Sequence, residues 1–111
     1  MTHNMKLWHG SFTMIRNGTK TIEMRLCDEK RSKIQLNDRI TFTDVETNEQ
    51  INALVISLHK YQNFEELYKH HDKISIGYSL EENADPADML QYYSNEEIEK
   101  YGALGIEIKV I

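Results

Sequence analysis

Apolar side chains alternate with polar or charged ones in three separate runs, and this period of two commits much of the chain to half-buried β-strands. Ile22, Met24 and Leu26 alternate with Thr21, Glu23, Arg25 and Cys27; Ile40 and Phe42 alternate with Arg39, Thr41 and Thr43; Leu104, Ile106, Ile108 and Val110 alternate with Gly105, Glu107 and Lys109. A fourth segment, Ile51 to His59, has the centre Ala53-Leu54-Val55-Ile56, apolar on both faces, which predicts a strand inside the sheet. Helical spacing fills the intervals. Phe12 and Ile15 lie three apart, with Ser11 as the expected N-cap and Asn17-Gly18 as the stop. Phe64, Leu67, Tyr68 and His71 follow the cap Asn63, and Asp85-Pro86 opens a helix whose inner face is Met89, Leu90 and Tyr93. Ser94 and Glu97 form a capping box for a short helix ending at Tyr101-Gly102. Lys6 to Trp8 read as a short strand or lead-in segment, and residues 72–93 are the least determined. The expected order is a helix, three strands, two or three helical segments and a final strand. That is an α+β fold, a small curved sheet or open barrel with helices across its ends.

The 111 residues, with one proline and no repeat or linker, hold a single domain spanning 1–111. A chain of this size buries about 65% of its unfolded surface, enough for one core without a disulfide or structural metal. Cys27 has no partner cysteine in the chain, which fits a reducing compartment. No apolar run approaches the roughly 20 residues that span a bilayer, and MTHNMKLWHG lacks the apolar stretch of a secretory signal, so the expectation is a cytoplasmic protein with no membrane partner. Net charge is −5, which opposes nonspecific attraction to a polyanion. The charge is divided unevenly. Residues 1–33 carry seven basic and three acidic side chains, whereas residues 34–111 carry six and fifteen, so a local anion-attracting site can sit on an acidic body.

The segment Gly18-Thr19-Lys20-Thr21-Ile22-Glu23-Met24-Arg25 stands where a helix turns into a strand. Gly18 permits a turn with positive φ. Glu23 and Arg25, two residues apart on a strand, share one face with α-carbons about 6.6 Å apart, while Lys20 emerges at the strand's edge. An ammonium, a carboxylate and a planar guanidinium can thus converge on a phosphate or a base edge. A strand showing alternating charges to solvent would have the same spacing.

The same segment, G-x-K-x-x-E-x-R after a short first helix, resembles the mark of the ASCH domains of the PUA-like superfamily. The resemblance continues through Leu26, Asp28-Glu29-Lys30-Arg31, the Asn37-Asp38 turn and the closing Tyr101-Gly102-Ala103-Leu104-Gly105-Ile106-Glu107-Ile108, and so covers nearly the whole chain. It implies a small mixed-sheet pseudobarrel of about five or six strands, with short helices flanking a cleft that accepts RNA, a nucleotide or a modified nucleoside. Its implied ligand contacts are Lys20, Glu23 and Arg25, with Trp8, Arg31 and Tyr101 around them and Lys30 and Arg16 steering from outside. The implied role is RNA or nucleotide binding in translation or RNA-linked regulation. The alternative is a small hydrolase of acylated nucleosides or RNA phosphodiesters, with Lys20 and Glu23 as catalytic groups. Similar amidohydrolases place a nucleophilic threonine where this chain has Glu23, so their triad does not carry over; Thr21, the nearest hydroxyl, faces away by strand alternation. No metal or cofactor is implied, and the oligomeric state is open.

Other features are weaker. His70-His71 are adjacent rather than three or four apart, unlike a helical metal pair. His9 beside Trp8 suits a general base, a stacking group or an ordinary surface histidine. Gly18-Thr19-Lys20-Thr21 lacks the first glycine of a P-loop and precedes a strand instead of a helix. Cys27 has cationic neighbours in sequence but no placed histidine, and fits a small strand residue best. The acidic run Glu81-Glu82-Asn83-Ala84-Asp85, with Asp88, has no calcium-loop spacing and reads as a solvated loop that repels nucleic acid from its side and so helps orient binding.

Overall fold

Five strands, β1 (Thr2–Leu7), β2 (Ile22–Leu26), β3 (Arg39–Asp44), β4 (Gln50–Tyr61) and β5 (Ala103–Val110), form one curled sheet in the order β1-β3-β4-β5-β2. The computed structural model describes residues 1–111. All neighbours are antiparallel except β1 and β3, which run parallel with Thr2 opposite Arg39 and Leu7 opposite Asp44. Three helices, α1 (His9–Asn17), α2 (Phe64–His70) and α3 (Asn95–Tyr101), and two 3₁₀ segments (Arg31–Lys33 and Pro86–Gln91) connect the strands. The fold is the expected α+β class, a curled half-barrel sheet with short helices.

Local chemistry accounts for most boundaries. Asn63 accepts the Glu66 N–H, and Asp85 accepts the Ala87 N–H ahead of Pro86, so each caps its segment. Ser94 and Glu97 bond reciprocally, and the helix they open stops at Gly102. Gly18 takes φ 84° and closes α1, its N–H reaching back to the Ile15 and Met14 carbonyls. The amides of Thr19 and Lys20 also turn back to the Met14 carbonyl, at 3.1 and 3.2 Å. That winding delivers Lys20 to the head of β2.

Four expectations need correction. The segment Pro86–Gln91 is a 3₁₀ turn and not an α-helix, and of its expected inner face Leu90 is exposed. α1 begins at His9, behind Trp8, and not at Ser11: Trp8 offers no side-chain cap, and Ser11 lies inside the first turn. β1 is a full six-residue strand instead of a lead-in at Lys6–Trp8. As an edge strand it buries only Met5 and Leu7, so its letters carry little apolar alternation. β4 is central as expected, but its apolar middle is not buried on both faces. A bulge falls between Val55 and Ser57, and Ile56 is 45% exposed on the outside of the curl, where no helix covers it.

The interior divides in two. One cluster, around Phe12, Ile15, Ile40, Phe42, Val55 and Ile106, seals α1 against the sheet. The other, around Ile22, Leu26, Phe64, Leu67, Ile76 and Met89, seals α2 and the Pro86–Gln91 segment against β2 and β5. β2, an edge strand, gives Ile22 and Leu26 to the second cluster.

Candidate ligand-binding site

A cleft of about 320 Å³ opens along β2 between the start of α1 and the segment 76–93. Lys20, Glu23 and Arg25 lie together in its wall. The Lys20 ammonium is 2.8 Å from Glu23 Oε1, and Arg25 Nε donates to Glu23 Oε2 at 2.8 Å, so one carboxylate holds two cations. Lys20 and Glu23 are buried, at 7% and 4% exposure, whereas Arg25 is half-buried. Arg25 Nη2 reaches the Lys6 carbonyl at 3.0 Å, and Lys20 donates to Ser11 Oγ at 3.4 Å. Burial pushes the Glu23 carboxyl up, but Lys20 and then Arg25 outweigh it and hold it below the ordinary carboxylate value. Glu23 is therefore ionised, one carboxylate between two cationic side chains.

Gly77 is what lets Lys20 lie flat. Its φ is +110°, and a β-carbon there would sit 3.1 Å from Lys20 Cδ. The preceding turn is fixed to β2, since the amides of both Thr21 and Ile22 donate to the Ser75 carbonyl at 3.0 Å. The lysine stem thus runs past a glycine backbone held in register with the strand that carries its carboxylate partner.

Across the cleft stands a hydroxyl relay. The hydroxyls of Tyr68 and Tyr78 are 2.9 Å apart, and Tyr78 donates to Asp88 Oδ2 at 2.7 Å. Burial and the bonds to Tyr68 and Asp88 push the Tyr78 hydroxyl up, and burial does the same for Tyr68, so both remain neutral. Tyr93 is raised by burial as well, against the opposing pull of Arg25 and Arg31. Trp8 and Tyr92 flank the mouth, 66% and 50% exposed.

Of the residues expected around a ligand, Lys20, Glu23, Arg25 and Trp8 line this one cleft. Arg31 and Tyr101 do not. Arg31 is held by Asp28, which accepts both its backbone N–H and Nη1, and its Nε is buried without a hydrogen-bond partner. Tyr101 packs on the second core with Lys100 over its ring. Arg16 pairs with Glu49 at 2.9 Å. His9 does not line the cleft: its Nδ1 bonds Asp44 at 2.6 Å, and Glu46 lies 3.4 Å away. Lys6, Ser11, Tyr68, Gly77, Tyr78 and Asp88 belong to the cleft without having been singled out as ligand contacts from the sequence. Gly77 and Tyr78 gave no signal beyond a glycine and a tyrosine inside an aperiodic stretch, and Asp88 stood out only as part of an acidic run.

The family model described as the ASCH domain matches residues 5–111. The crystal structure of a hypothetical protein, PH0355, superposes over the full length of both chains with a TM-score of 0.85 and 30% sequence identity. The solution NMR structure of protein PF0455 from Pyrococcus furiosus superposes over 100% of this chain and 98% of that one, with a TM-score of 0.78 and 27% identity. No curated protein matches the sequence.

Proposed function

Because the chain belongs to the ASCH domain family, we propose that its cleft binds RNA or a nucleotide as part of translation-related or RNA-linked regulation. Such domains are often linked to RNA binding. The observation that carries the reading is the buried Lys20–Glu23–Arg25 cluster in the wall of the cleft. Glu23 fixes both cations at 2.8 Å, so neither needs ordering when a ligand arrives. Their remaining N–H groups are charge-assisted donors for a phosphate or a base carbonyl, and exposed Trp8 and Tyr92 offer faces for a ring.

Binding of short single-stranded RNAs and of nucleotides to the wild type, Lys20→Met and Arg25→Lys tests this. Both variants are expected to weaken binding about tenfold or more, with a shallow salt dependence that reflects few phosphate contacts. Affinity that ignores both substitutions and the salt concentration would refute the assignment.

The hydrolase reading has one favouring observation, the Ser11 hydroxyl bonded to Lys20 at 3.4 Å. General-base chemistry needs a group ready to take a proton. Glu23 is poorly suited, since two cations hold it below its ordinary range, and withdrawing Lys20 from the pair would leave a buried carboxylate with one counterion. The geometry therefore supports binding better than turnover. Product from acylated nucleosides or short RNAs that disappears in Lys20→Met would reverse that order.

A further inference from the structure

Outside the cleft, an imidazole and two carboxylates converge where β1 passes into α1. His9 Nδ1 lies 2.6 Å from Asp44 Oδ2 and 3.4 Å from Glu46 Oε2, and one ligating atom from each of the three residues falls within 4.8 Å of the other two. The fold sets this meeting. Leu7 is the ladder partner of Asp44, and the Val45 N–H donates to the Leu7 carbonyl at 3.0 Å, so His9 arrives beside the β3–β4 turn. Arg16 and Glu49, 2.9 Å apart, tie the far end of α1 to the same turn.

Two features exceed what a histidine–aspartate hydrogen bond requires. Nδ1 carries at most one hydrogen and Asp44 is enough to accept it, yet Glu46 is brought to the same nitrogen. Two carboxylates thus share one point with at most one positive charge between them, an arrangement that a dication relieves. Asp44 is also fixed in advance. Its side chain is 1% exposed, and its Oδ1 accepts the Glu46 N–H at 2.8 Å, which leaves Oδ2 for the imidazole. His9 Nε2 has no partner within the chain and can hold the ring proton, freeing the Nδ1 lone pair.

We propose that His9, Asp44 and Glu46 bind one divalent transition-metal ion, zinc or a close neighbour, through His9 Nδ1, Asp44 Oδ2 and Glu46 Oε2, with water completing the shell. Metal–ligand distances of about 2.0–2.2 Å set ligand atoms about 3–3.5 Å apart, which the His9–Glu46 pair already meets. The His9–Asp44 pair opens by less than about 1 Å as the ion takes the place of the hydrogen between them. An imidazole among the ligands favours zinc, nickel or copper over magnesium and calcium. His9 and Glu46 are exposed, which gives the ion a way in. Once bound, the ion pins the start of α1 to the β3–β4 turn.

Calorimetric titration of the metal-free full chain with zinc chloride, followed by NMR of the histidine rings, tests this. One equivalent is expected to bind, with the His9 signals the first to move, while magnesium chloride at the same concentration leaves them in place. Saturating zinc should raise the melting temperature by about 5 °C or more. Glu46→Gln, an exposed substitution that keeps the His9–Asp44 bond, should weaken zinc binding about tenfold or more, and His9→Gln should abolish the one-equivalent event. Should His9→Gln lose its fold, Glu46→Gln carries the test alone. Zinc that moves the rings of His59, His70 or His71 in place of His9 would overturn the proposal. So would an affinity indifferent to both substitutions, or a wild type that takes up no zinc at about 1 mM. None of the three residues lines the cleft, so the outcome is independent of the RNA and nucleotide measurements.

Discussion

Arg25 on β2 donates through Nη2 to the backbone carbonyl of Lys6 on β1, 3.0 Å away, and so joins the two edge strands of the sheet by a side chain. No backbone ladder links these strands, which stand at opposite ends of the order β1-β3-β4-β5-β2. The guanidinium that draws the half-barrel together also holds Glu23 through Nε. One residue therefore couples the curvature of the sheet to the charge arrangement in the cleft.

Replacing Arg25 should accordingly cost stability as well as affinity. Arg25→Ala removes one cation from a buried carboxylate and leaves the Lys6 carbonyl without that donor, for an expected loss of about 2 kcal/mol. Arg25→Lys restores the charge but not the fork, so it should recover about half of that loss. Urea unfolding of the three proteins measures the difference; equal stabilities would show that the bridge contributes nothing to closure.

Glu23→Gln should be the more damaging change, because it leaves the Lys20 ammonium, 7% exposed, without its counterion, at a cost of about 3 kcal/mol. The pH dependence has a definite sign. The folded-state carboxyl lies below its ordinary value of 4.5, so Glu23 stabilises fully above that pH, and its contribution is lost as pH falls through the lower folded value. Unfolding free energy followed downward from pH 5 should fall less steeply in Glu23→Gln than in the wild type.

The parts of this molecule legible in its letters are those fixed by neighbours in sequence. β2 and β5 alternate because Ile22 and Leu26 pack on one core and Leu104, Ile106 and Ile108 on the other, and the Ser94 box, the Asn63 cap and the Gly18 stop are local hydrogen-bonding devices. The sharing of one face by Glu23 and Arg25 follows from strand geometry alone. The other wall of the cleft has no such signature. Gly77, Tyr78 and Asp88 are brought to it by the pairing of Ser75 with Thr21 and Ile22 and by the tyrosine relay, tertiary contacts that leave no periodic pattern in the letters. β1 escaped for a related reason: Thr2 lies opposite Arg39 and Leu7 opposite Asp44, 37 residues on, and an edge strand burying two side chains leaves little pattern.

Gly77→Ala tests whether that second wall positions Lys20. A methyl group would press on the lysine stem at 3.1 Å, and φ +110° is strained for any L residue, so destabilisation of about 1–2 kcal/mol is expected. The distinguishing readout is the Lys20 Nζ resonance together with affinity. If both stay as in the wild type while stability falls, the glycine serves the turn alone.

His9 ties the start of α1 to the β3–β4 turn, and its hydrogen bond to Asp44 raises its pKa above 6.5 despite the opposing effect of desolvation. A raised value means the charged form favours the fold: the contribution is complete below 6.5 and disappears as pH rises through the folded value. The Cε1 proton of His9 should titrate above 6.5 by NMR, and His9→Gln should remove the matching decline in stability toward alkaline pH. A midpoint at or below 6.5 would mean that the pair does not persist in solution.

Trp8→Ala separates the ligand from the fold. The indole is 66% exposed and the residue caps α1 without a side-chain hydrogen bond, so truncation should change stability by no more than about 0.5 kcal/mol. A base stacked at the mouth would lose about 1–3 kcal/mol of binding, tenfold or more in affinity, with its salt dependence unchanged because no charge is removed. Lys20→Met should behave differently, lowering affinity and altering the salt slope only if its ammonium faces phosphate. Unchanged affinity in Trp8→Ala alongside a loss in Lys20→Met would move the stacked ring to Tyr92, on the opposite lip, where Tyr92→Ala repeats the measurement.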